Sequence, residues 1–267
     1  MQVVIPVKSF RHAKKRLATL LSEEQRGDLM RHMLDDVLKA VAATPQAEAM
    51  MVVSGDAEVA QWVARRALCF ATPLRIFDPR YQQLDNTAGE AAGLCFSKPL
   101  PEAGLCHAYS AAAAELSDRN VDTMLLLPAD IPLVTRADIE ALLAGHSCPG
   151  VSVAAAGSDG GTNALLVSAP DIIAPAFGED SCRRHMALAR EQGVEPVLHT
   201  SPGFSLDVDT SEDIRALLAS GRECETLRYL FNSGIAAELA ESESSAHFPA
   251  TEFQQKSLQN LTNRQAG

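Results

Sequence analysis

Residues 125–133 read LLLPADIPL, and this stretch decides the class of fold. Its three leucines form a uniformly apolar run, which is typical of a strand buried on both faces of a sheet. Asp130 follows between two prolines, where a turn begins. Burying a carboxylate without a partner costs on the order of several kcal/mol. The stretch therefore predicts a central strand followed by an acidic residue that requires a binding partner.

Strand-like and helix-like segments alternate on both sides of this stretch. The predicted strands are 2–7, 49–55, 74–79 and 123–130, with paired apolar runs at 151–156 and 163–167. The predicted helices are 22–43, 56–68, one opening at Thr135, one after Ser181, and a last one after Thr210 that ends near Gly221. Apolar strands separated by helices predict an α/β fold, a mostly parallel central sheet with helices on both faces. Ligands of such sheets bind at the carboxyl ends of the strands.

Two segments do not follow the alternation. Residues 81–103 have no clear period and are interpreted as a loop or flap, and residues 240–267 are polar, rich in Gln and Ser, and interpreted as a mobile tail. The chain shows no internal repeat and no second core. We therefore expect one domain at 1–239.

Composition limits the classes of function. The chain has 267 residues, of which 46% are hydrophobic, and a net charge of -11, which disfavours nucleic acid and anionic membranes as partners. Its six cysteines form no C-x-x-C pair, which suits a reducing compartment. The apolar run at the N-terminus precedes the charges, the reverse of a signal peptide. These features predict a cytoplasmic protein whose anionic ligands are held by a local cluster or a metal.

A second acidic motif is SLDVDTSED at 205–213. If this segment is extended, Asp207 and Asp209 share one face while Val208 points into the core. Two like charges on one face repel each other, and a divalent cation between them relieves the repulsion. Carboxylates and phosphate oxygens are the ligands that Mg²⁺ prefers. Together with Asp130, the pair predicts a magnesium site.

Each acidic residue also has a structural interpretation. Asp130 would cap the backbone of its own turn, as acidic residues in such turns often do. Asp209 or Thr210 would cap the last helix, where Thr210 and Asp213 have capping-box spacing. Capping accounts for one residue of the pair and leaves Asp207 unexplained, so the metal interpretation is favoured.

A basic segment, KSFRHAKKR at 8–16, follows the first strand directly. We predict that Lys8, Lys14 and Arg16 contact nucleotide phosphates, whereas Lys15 lies on a solvated face. Lys8 and Asp130 are the predicted catalytic residues. The chain has neither a Walker pattern nor G-x-G-x-x-G, so the common ATPase and dinucleotide folds are not supported.

Two further segments carry weaker signals. In GSDGGTNALL at 157–166, Gly160 and Gly161 either allow close approach of a ligand or form a hairpin turn. In FGEDSCRRH at 177–185, Ser181 is predicted to cap a helix whose free N–H groups suit a carboxylate or phosphate.

In this order, the five motifs resemble the 2-phospho-L-lactate guanylyltransferase family, which acts in the biosynthesis of the deazaflavin coenzyme F(420). The matching segments are PVKSFRHAKKRL, LLLPADIPLV, GGTNALL, FGEDSCRRH and LDVDTSEDI, which span residues 5–214. The resemblance implies a nucleotide-diphospho-sugar transferase-like fold, similar to the guanylyltransferase of molybdenum-cofactor synthesis. It also implies transfer of GMP from GTP to 2-phospho-L-lactate, phosphoenolpyruvate or 3-phospho-D-glycerate.

The resemblance also implies roles for individual residues. Asp130, Asp207 and Asp209 would hold Mg²⁺, and Lys8 would contact phosphate. Thr162 would line the site, and Gly178 and Ser181 would hold the carboxylate of the substrate.

The chemistry of such a transfer agrees with the sequence. A phosphate monoester has a second pKa of about 6, so it is already a nucleophile at neutral pH and needs no general base. The alternatives are a nucleotidyltransferase for a sugar phosphate or another cofactor precursor, a D-x-D glycosyltransferase, and a non-catalytic nucleotide-binding regulator. The oligomeric state is left open, a homodimer included.

Overall fold

The computed structural model describes residues 1–78, 105–157 and 160–244. The strands are β1 (Gln2–Pro6), β2 (Ala49–Val53), β3 (Leu74–Phe77), β4 (Thr123–Leu126), β5 (Gly150–Ala155), β6 (Thr162–Ser168) and β7 (Val197–His199). The helices are α1 (Glu23–Ala42), α2 (Ala57–Ala67), α3 (Leu105–Asp118), α4 (Arg136–Ala144), α5 (Ser181–Glu191), α6 (Ser211–Ala219), α7 (Glu225–Asn232) and α8 (Ile235–Ser244), with a 3-10 turn at Lys15–Leu17.

The strands form one seven-stranded sheet in the order β3-β2-β1-β4-β6-β5-β7. Strands β1, β2, β3 and β4 run parallel to one another, and β7 is parallel to β5. Strand β6 runs antiparallel to both β4 and β5, so the paired apolar runs form an antiparallel pair. The predicted mostly parallel sheet is confirmed, and the short strand β7 is an addition that the sequence did not indicate.

Side chains of each strand alternate between two cores, one on each face of the sheet. On β1, Val3 and Ile5 belong to the first core and Val4 to the second. Buried residues of α1, α2, α4, α6, α7 and α8 complete the first core, and those of α3 and α5 complete the second. Helices therefore cover both faces, as predicted.

Capping boxes define where three helices begin, and two of them, at Ser22 and Thr210, were predicted as such. Ser22 with Gln25 starts α1, and Thr135 starts α4. Thr210 with Asp213 starts α6. In each box, the hydroxyl accepts from the N3 backbone N–H and the N3 side chain accepts from the cap backbone. These helix starts are confirmed because their signals are local.

The prediction that the helix after Thr210 is the last one is wrong, because α7 and α8 follow it. Helix α7 is fixed by Asp36 of α1, whose carboxylate accepts from the backbone N–H groups of Glu225 (2.8 Å) and Thr226 (2.9 Å). It also accepts from the Thr226 hydroxyl at 2.6 Å. The residue at the cap position, Cys224, makes no side-chain capping bond. The start of α7 thus depends on a residue about 190 positions earlier, which no local pattern indicates.

The predicted loop at 81–103 lies outside the described residues. Of the predicted tail, 240–244 belong to α8 and 245–267 lie outside the described residues. The boundary of the single domain at 1–239 stays a prediction. Among the described residues, no helix combines the length and apolarity required to cross a bilayer.

Candidate active site

One edge of the sheet gathers the segments that the sequence singles out. The parallel strands β1 and β4 end at this edge, followed by the basic segment 8–16 and by Asp130. Strand β6 runs the other way, with Leu165 opposite Leu126, so its first residues lie at the same edge. Such an edge displays polar groups beyond the hydrogen-bonded strands, and it is where α/β sheets bind ligands.

Lys14 is the buried cation of this edge. Its side chain is 5% exposed, and Nζ donates to Asp130 Oδ2 at 2.5 Å and to Asp209 Oδ1 at 2.7 Å. Burial alone would lower the pKa of Lys14, but the charges of Asp130 and then Asp209 raise it above its usual value. Lys14 is therefore protonated, and it ties the segment after β1 to the segments before α4 and α6.

Asp209 is ionised because Lys14 faces it. Burial favours a higher pKa for Asp209, but the charge and hydrogen bond of Lys14 outweigh it and lower the pKa. Its backbone N–H donates to Asp213 Oδ2 at 3.0 Å, so the capping role predicted for this region belongs to Thr210 and Asp213. The carboxylate of Asp209 thus faces the basic segment.

Asp207 lies in a different environment. Burial raises its pKa, and the charge of Asp130 raises it further. Asn163 Nδ2 lies 3.4 Å from Asp207 Oδ1 and also donates to the carbonyl of Phe204 at 2.8 Å. Val208 is fully buried, as predicted, and its N–H donates to the carbonyl of Asp130 at 3.0 Å. The two aspartates thus lie on either side of a buried anchor, close to Asp130.

The charges of this cluster fit a cation, although they do not form a closed ligand cage. Within residues 1–78, 105–157 and 160–244, no three His, Cys, Asp or Glu side chains are grouped so as to hold a metal ion. The ammonium of Lys14 lies between Asp130 and Asp209, whereas Asp207 has a pKa raised first by burial and then by the charge of Asp130. Mg²⁺ commonly takes one or two carboxylates and completes its shell with waters and substrate phosphates. The cluster fits Mg²⁺ delivered with a nucleotide.

The other cations of the basic segment are exposed. Lys8 and Lys15 lie at the surface. The Arg16 side chain is 76% exposed, with Nη1 3.9 Å from Asp209 Oδ2. The solvated position predicted for Lys15 is confirmed, whereas the phosphate contacts of Lys8, Lys14 and Arg16 stay predictions. Lys14 differs from the others because two of its three N–H groups are already donated to carboxylates.

A β-bulge at the start of β6 lets two consecutive side chains contact different parts of the site. Strand β5 pairs Ala154 with Ala164 but Ala155 with Thr162, which leaves Asn163 as an extra residue. Bulges re-aim side chains and are common beside active sites. Here Asn163 reaches Asp207, and the adjacent Thr162 contacts α5. The bulge therefore joins the carboxylate cluster to the residues at the start of α5.

Ser181 does not occupy the cap position of α5 that the sequence predicted for it. It is the first residue of α5, and Asp180, in a left-handed conformation, occupies the cap position without a side-chain bond. The Ser181 hydroxyl donates to Thr162 Oγ1 at 3.1 Å, and its backbone N–H donates to the carbonyl of Gly178 at 3.1 Å. The N–H of Cys182 donates to the carbonyl of Gly160. The prediction that Ser181 caps a helix with free N–H groups is wrong, because these first donors are used within the protein.

Two glycines shape the turns around this group. Gly178 has φ +116°, a conformation that favours glycine, and it places its carbonyl on Ser181. Gly160 has φ +67°, and a Cβ there would lie 3.2 Å from a carboxylate oxygen of Asp180. Ala156 N–H donates to the carbonyl of Gly161 at 3.0 Å, which supports the hairpin interpretation of the glycine pair.

Three residues that sequence reasoning missed complete the site. His185 bonds to Thr162, and Asn163 bonds to Asp207; each was signalled only by proximity, four residues after Ser181 or one after Thr162. Tyr109 of α3 is fully buried, and its hydroxyl has no hydrogen-bond partner among the described residues. Its ring stacks on Phe177 at 4.4 Å, and Phe177 contacts His185 edge-on at 4.9 Å. No local pattern indicates Tyr109.

The pKa of Tyr109 is affected by the carboxylate cluster. Burial, and then the charge of Asp130, raise its pKa well above the usual value. The hydroxyl therefore stays protonated. Tyr109 thus lies within range of the charge of Asp130 and stacks on Phe177, which in turn contacts His185.

A separate cleft of about 340 Å³ lies among α1, the segment before α4 and the segment before α7. Its cations are already engaged: Lys39 and Arg228 pair with Glu225, and Arg222 donates to the carbonyl of Leu133 at 3.0 Å. None of the carboxylates of the cluster lines this cleft. It is therefore not the candidate active site.

Fold and site together define a class, the nucleotidyltransferases that carry acidic and basic groups at the carboxyl edge of a mostly parallel sheet. A crystal structure from Desulfovibrio desulfuricans, described as a nucleotide-diphospho-sugar transferase, has the same fold, with a TM-score of 0.65 at 19% identity, covering 89% of this chain and 97% of that one. The chain belongs to the family described as "Guanylyl transferase CofC like", which it matches over residues 1–95 and 102–249.

Two relatives illustrate the family. The phosphoenolpyruvate guanylyltransferase of Sphaerobacter thermophilus is 34% identical over 80% of this chain and 90% of its own length. The 2-phospho-L-lactate guanylyltransferase of Methanothermobacter thermautotrophicus is 30% identical over 85% of this chain and 88% of its own length. The resemblance drawn from the motifs is thereby confirmed at the level of the family and of its activity, guanylyl transfer.

Proposed function

We propose that this enzyme joins GMP from GTP to a small phosphorylated carboxylic acid and releases pyrophosphate. The observation that carries the proposal is the bulge at Asn163, which joins the carboxylate cluster to Thr162 and Ser181 at one sheet edge. The carboxylate cluster is suited to a metal with nucleotide phosphates, and the residues around Thr162 and Ser181 are suited to the anions of a small acceptor. The relatives' names, which specify phosphoenolpyruvate and 2-phospho-L-lactate, support the acceptor class.

The proposed reaction is an in-line displacement. A phosphate oxygen of the acceptor forms a bond to the α-phosphorus of GTP, and the bond from that phosphorus to the bridging oxygen breaks, so that pyrophosphate leaves. The acceptor phosphate has a second pKa of about 6 and needs no general base at neutral pH. Catalysis then consists of positioning and of neutralising charge.

The residues have separate roles in this proposal. Asp130, Asp207 and Asp209 would hold Mg²⁺, which when bound supplies positive charge to the phosphates. Lys14 holds Asp130 and Asp209 in place through its two hydrogen bonds, and its charge keeps Asp209 ionised. Lys8, as an exposed cation directly after β1, would contact the α-phosphate or the leaving pyrophosphate.

The acceptor would bind at the other side of the bulge. Thr162 contributes a hydroxyl group that accepts from the Ser181 hydroxyl, and Gly178 shapes the turn before α5. Because the N–H groups of Ser181 and Cys182 are used internally, recognition of the carboxylate depends on side-chain hydroxyls more than on the helix end. Binding of Mg²⁺, a role in coenzyme F(420) biosynthesis, a cytoplasmic location and a homodimer stay predictions of this proposal.

The test offers GTP and Mg²⁺ with one acceptor at a time and measures pyrophosphate. The acceptors are 2-phospho-L-lactate, phosphoenolpyruvate, 3-phospho-D-glycerate, and glucose or mannose 1-phosphate. We expect turnover with at least one phosphorylated acid and none with the sugar phosphates, which lack the second anion. Turnover confined to the sugar phosphates would overturn the proposal in favour of a sugar-phosphate nucleotidyltransferase. Absence of pyrophosphate with every acceptor would favour a glycosyltransferase or a regulator.

A further inference from the structure

His185 lies at the centre of a buried hydrogen-bond chain behind the proposed acceptor site. It is fully buried on α5. Its Nε2 lies 2.8 Å from the backbone N of Ala176, and its Nδ1 lies 3.0 Å from Thr162 Oγ1. The edge-on contact with Phe177 fixes the plane of the ring.

The backbone determines which nitrogen of the ring carries the hydrogen. A backbone N–H can only donate, so Nε2, which faces Ala176, must be the unprotonated acceptor. Burial, and then the charge of Arg184, lower the pKa of His185 to about 4, so the ring is neutral at physiological pH. A neutral imidazole with a bare Nε2 carries its hydrogen on Nδ1. His185 therefore donates to Thr162.

The hydroxyl of Thr162 receives a second donor. Ser181 Oγ donates to the same Thr162 Oγ1 at 3.1 Å. A hydroxyl oxygen has two acceptor lone pairs and one hydrogen to donate. Both lone pairs of Thr162 are engaged by His185 and Ser181, so the hydrogen must point away from both. Thr162 lies at the start of β6, beside the bulge, at the edge of the sheet that holds the proposed site.

We propose that His185 is a positioning residue, which holds the Thr162 hydroxyl with its hydrogen directed at an anionic oxygen of the phosphorylated acid. If the ring presented a bare Nδ1 instead, Thr162 would donate to the histidine and lose its hydrogen for the substrate. The backbone N–H of Ala176 therefore determines, through His185, that Thr162 accepts from the histidine and does not donate to it. This inference rests on the proposed function, since it assigns the hydrogen-bond donor that recognises the phosphorylated acid.

The two hydrogen bonds of His185 can be removed separately. In His185→Asn the amide nitrogen stands near the position of Nδ1, so the donor to Thr162 is retained and the acceptor for Ala176 is lost. In His185→Gln the amide oxygen stands near the position of Nε2, so the acceptor for Ala176 is retained and the donor to Thr162 is lost. The pair is matched in polarity and neutral charge.

Steady-state kinetics with the preferred acid then distinguishes the two roles. We expect His185→Gln to raise the KM for the acid by about tenfold or more, because the contact is to a charged group. His185→Asn should raise it much less, and the KM for GTP should not change in either variant. In a Thr162→Val background, His185→Gln should add no further effect, because the positioned hydroxyl is gone. Equal effects of the two variants, or a larger effect of Asn, would show a role confined to anchoring Ala176 and overturn the inference.

A failure of the proposed function gives a different result. If the wild-type enzyme fails to release pyrophosphate with each of the phosphorylated acids tested, the proposed function fails and the inference fails with it. If wild type is active and the two variants are alike, the inference alone fails.

The tautomer can also be measured without any variant. In ¹⁵N-labelled wild-type protein, long-range ¹H–¹⁵N spectra of the histidines distinguish the two neutral tautomers. We expect one buried histidine, assigned by its loss in His185→Asn, to be neutral with the hydrogen on Nδ1. A hydrogen on Nε2 would overturn the inference regardless of the kinetics.

Discussion

Replacing Lys14 with methionine tests whether this residue holds the carboxylate cluster together. Methionine keeps an apolar chain of similar length and removes the charge. In the wild type, the Lys14 ammonium lies 2.5 Å from Asp130 and 2.7 Å from Asp209. The variant leaves these two carboxylates without their buried counter-charge. We expect a large loss of stability from one substitution on a short 3-10 segment.

The magnitude follows from burial and distance. Each contact, at 2.5 and 2.7 Å, is worth about 6 kcal/mol in gross Coulomb energy at an effective dielectric constant near 20. The cost of desolvating the ammonium offsets most of this energy, but removing one member of a buried pair still costs about 3 kcal/mol or more. The carboxylates of Asp130 and Asp209 are 25% and 41% exposed, which places the loss at the lower end. Such a loss lowers Tm by roughly 6 to 12 °C in a chain of this size.

Denaturant titration and thermal unfolding of Lys14→Met, with Lys15→Met as the control, measure this loss. Lys15 is exposed, and its variant should stay within about 0.5 kcal/mol of wild type. Lys14 lowers the pKa of Asp209, so the stability it contributes is present above the unfolded pKa of 3.8 and is lost as pH falls through the folded value. The deficit of Lys14→Met should therefore shrink on acidification. A deficit that is independent of pH, or equal in both variants, would refute the electrostatic role.

Three further predictions concern the site. Asp207→Asn should reduce pyrophosphate release by orders of magnitude without lowering the free energy of unfolding, because its half-buried carboxylate has a raised pKa; near wild-type release with saturating Mg²⁺ would exclude its metal role. Lys8→Ala should lower kcat far more than Lys15→Ala, and equal losses would reduce the basic segment to a general electrostatic patch. Between pH 6.5 and about 4 the unfolded chain binds a proton at His185 that the folded chain does not, because burial lowers its pKa. The contribution of His185 to the free energy of unfolding is fully present above pH 6.5 and falls by about 3 kcal/mol as the pH drops to about 4. His185→Asn should therefore flatten this part of the curve of unfolding free energy against pH, measured by denaturant titration. An unchanged curve would contradict the assignment.

Features of the fold that depend on local pattern were predictable from the sequence. The capping boxes at Ser22, Thr135 and Thr210 fixed three helix starts. The apolar runs fixed the positions of the main strands. Helix α7 was missed because its backbone donors are satisfied by Asp36, far away in the sequence.

The residues of the candidate site were predictable as types and less so as partners. The sequence singled out Asp130, Asp207 and Asp209 because charges beside buried segments need a counter-charge. It did not show that Lys14, rather than Lys8, is the cation buried against them, since the two lysines are alike in a basic run. The choice depends on the left-handed turn at Lys14, which directs its side chain into the cluster.

The division between sequence and structure has one physical cause. The sequence by itself determined what is short-range: strand and helix periodicity, capping, and the chemical types placed after each strand. The tertiary structure alone decided what depends on distances between segments remote in the chain. Examples are the bulge that lets Asn163 reach Asp207 while Thr162 contacts α5, and the backbone N–H of Ala176 that sets the tautomer of His185. Hydrogen-bond direction and burial arise only when those segments pack, because neither exists in an isolated stretch of chain.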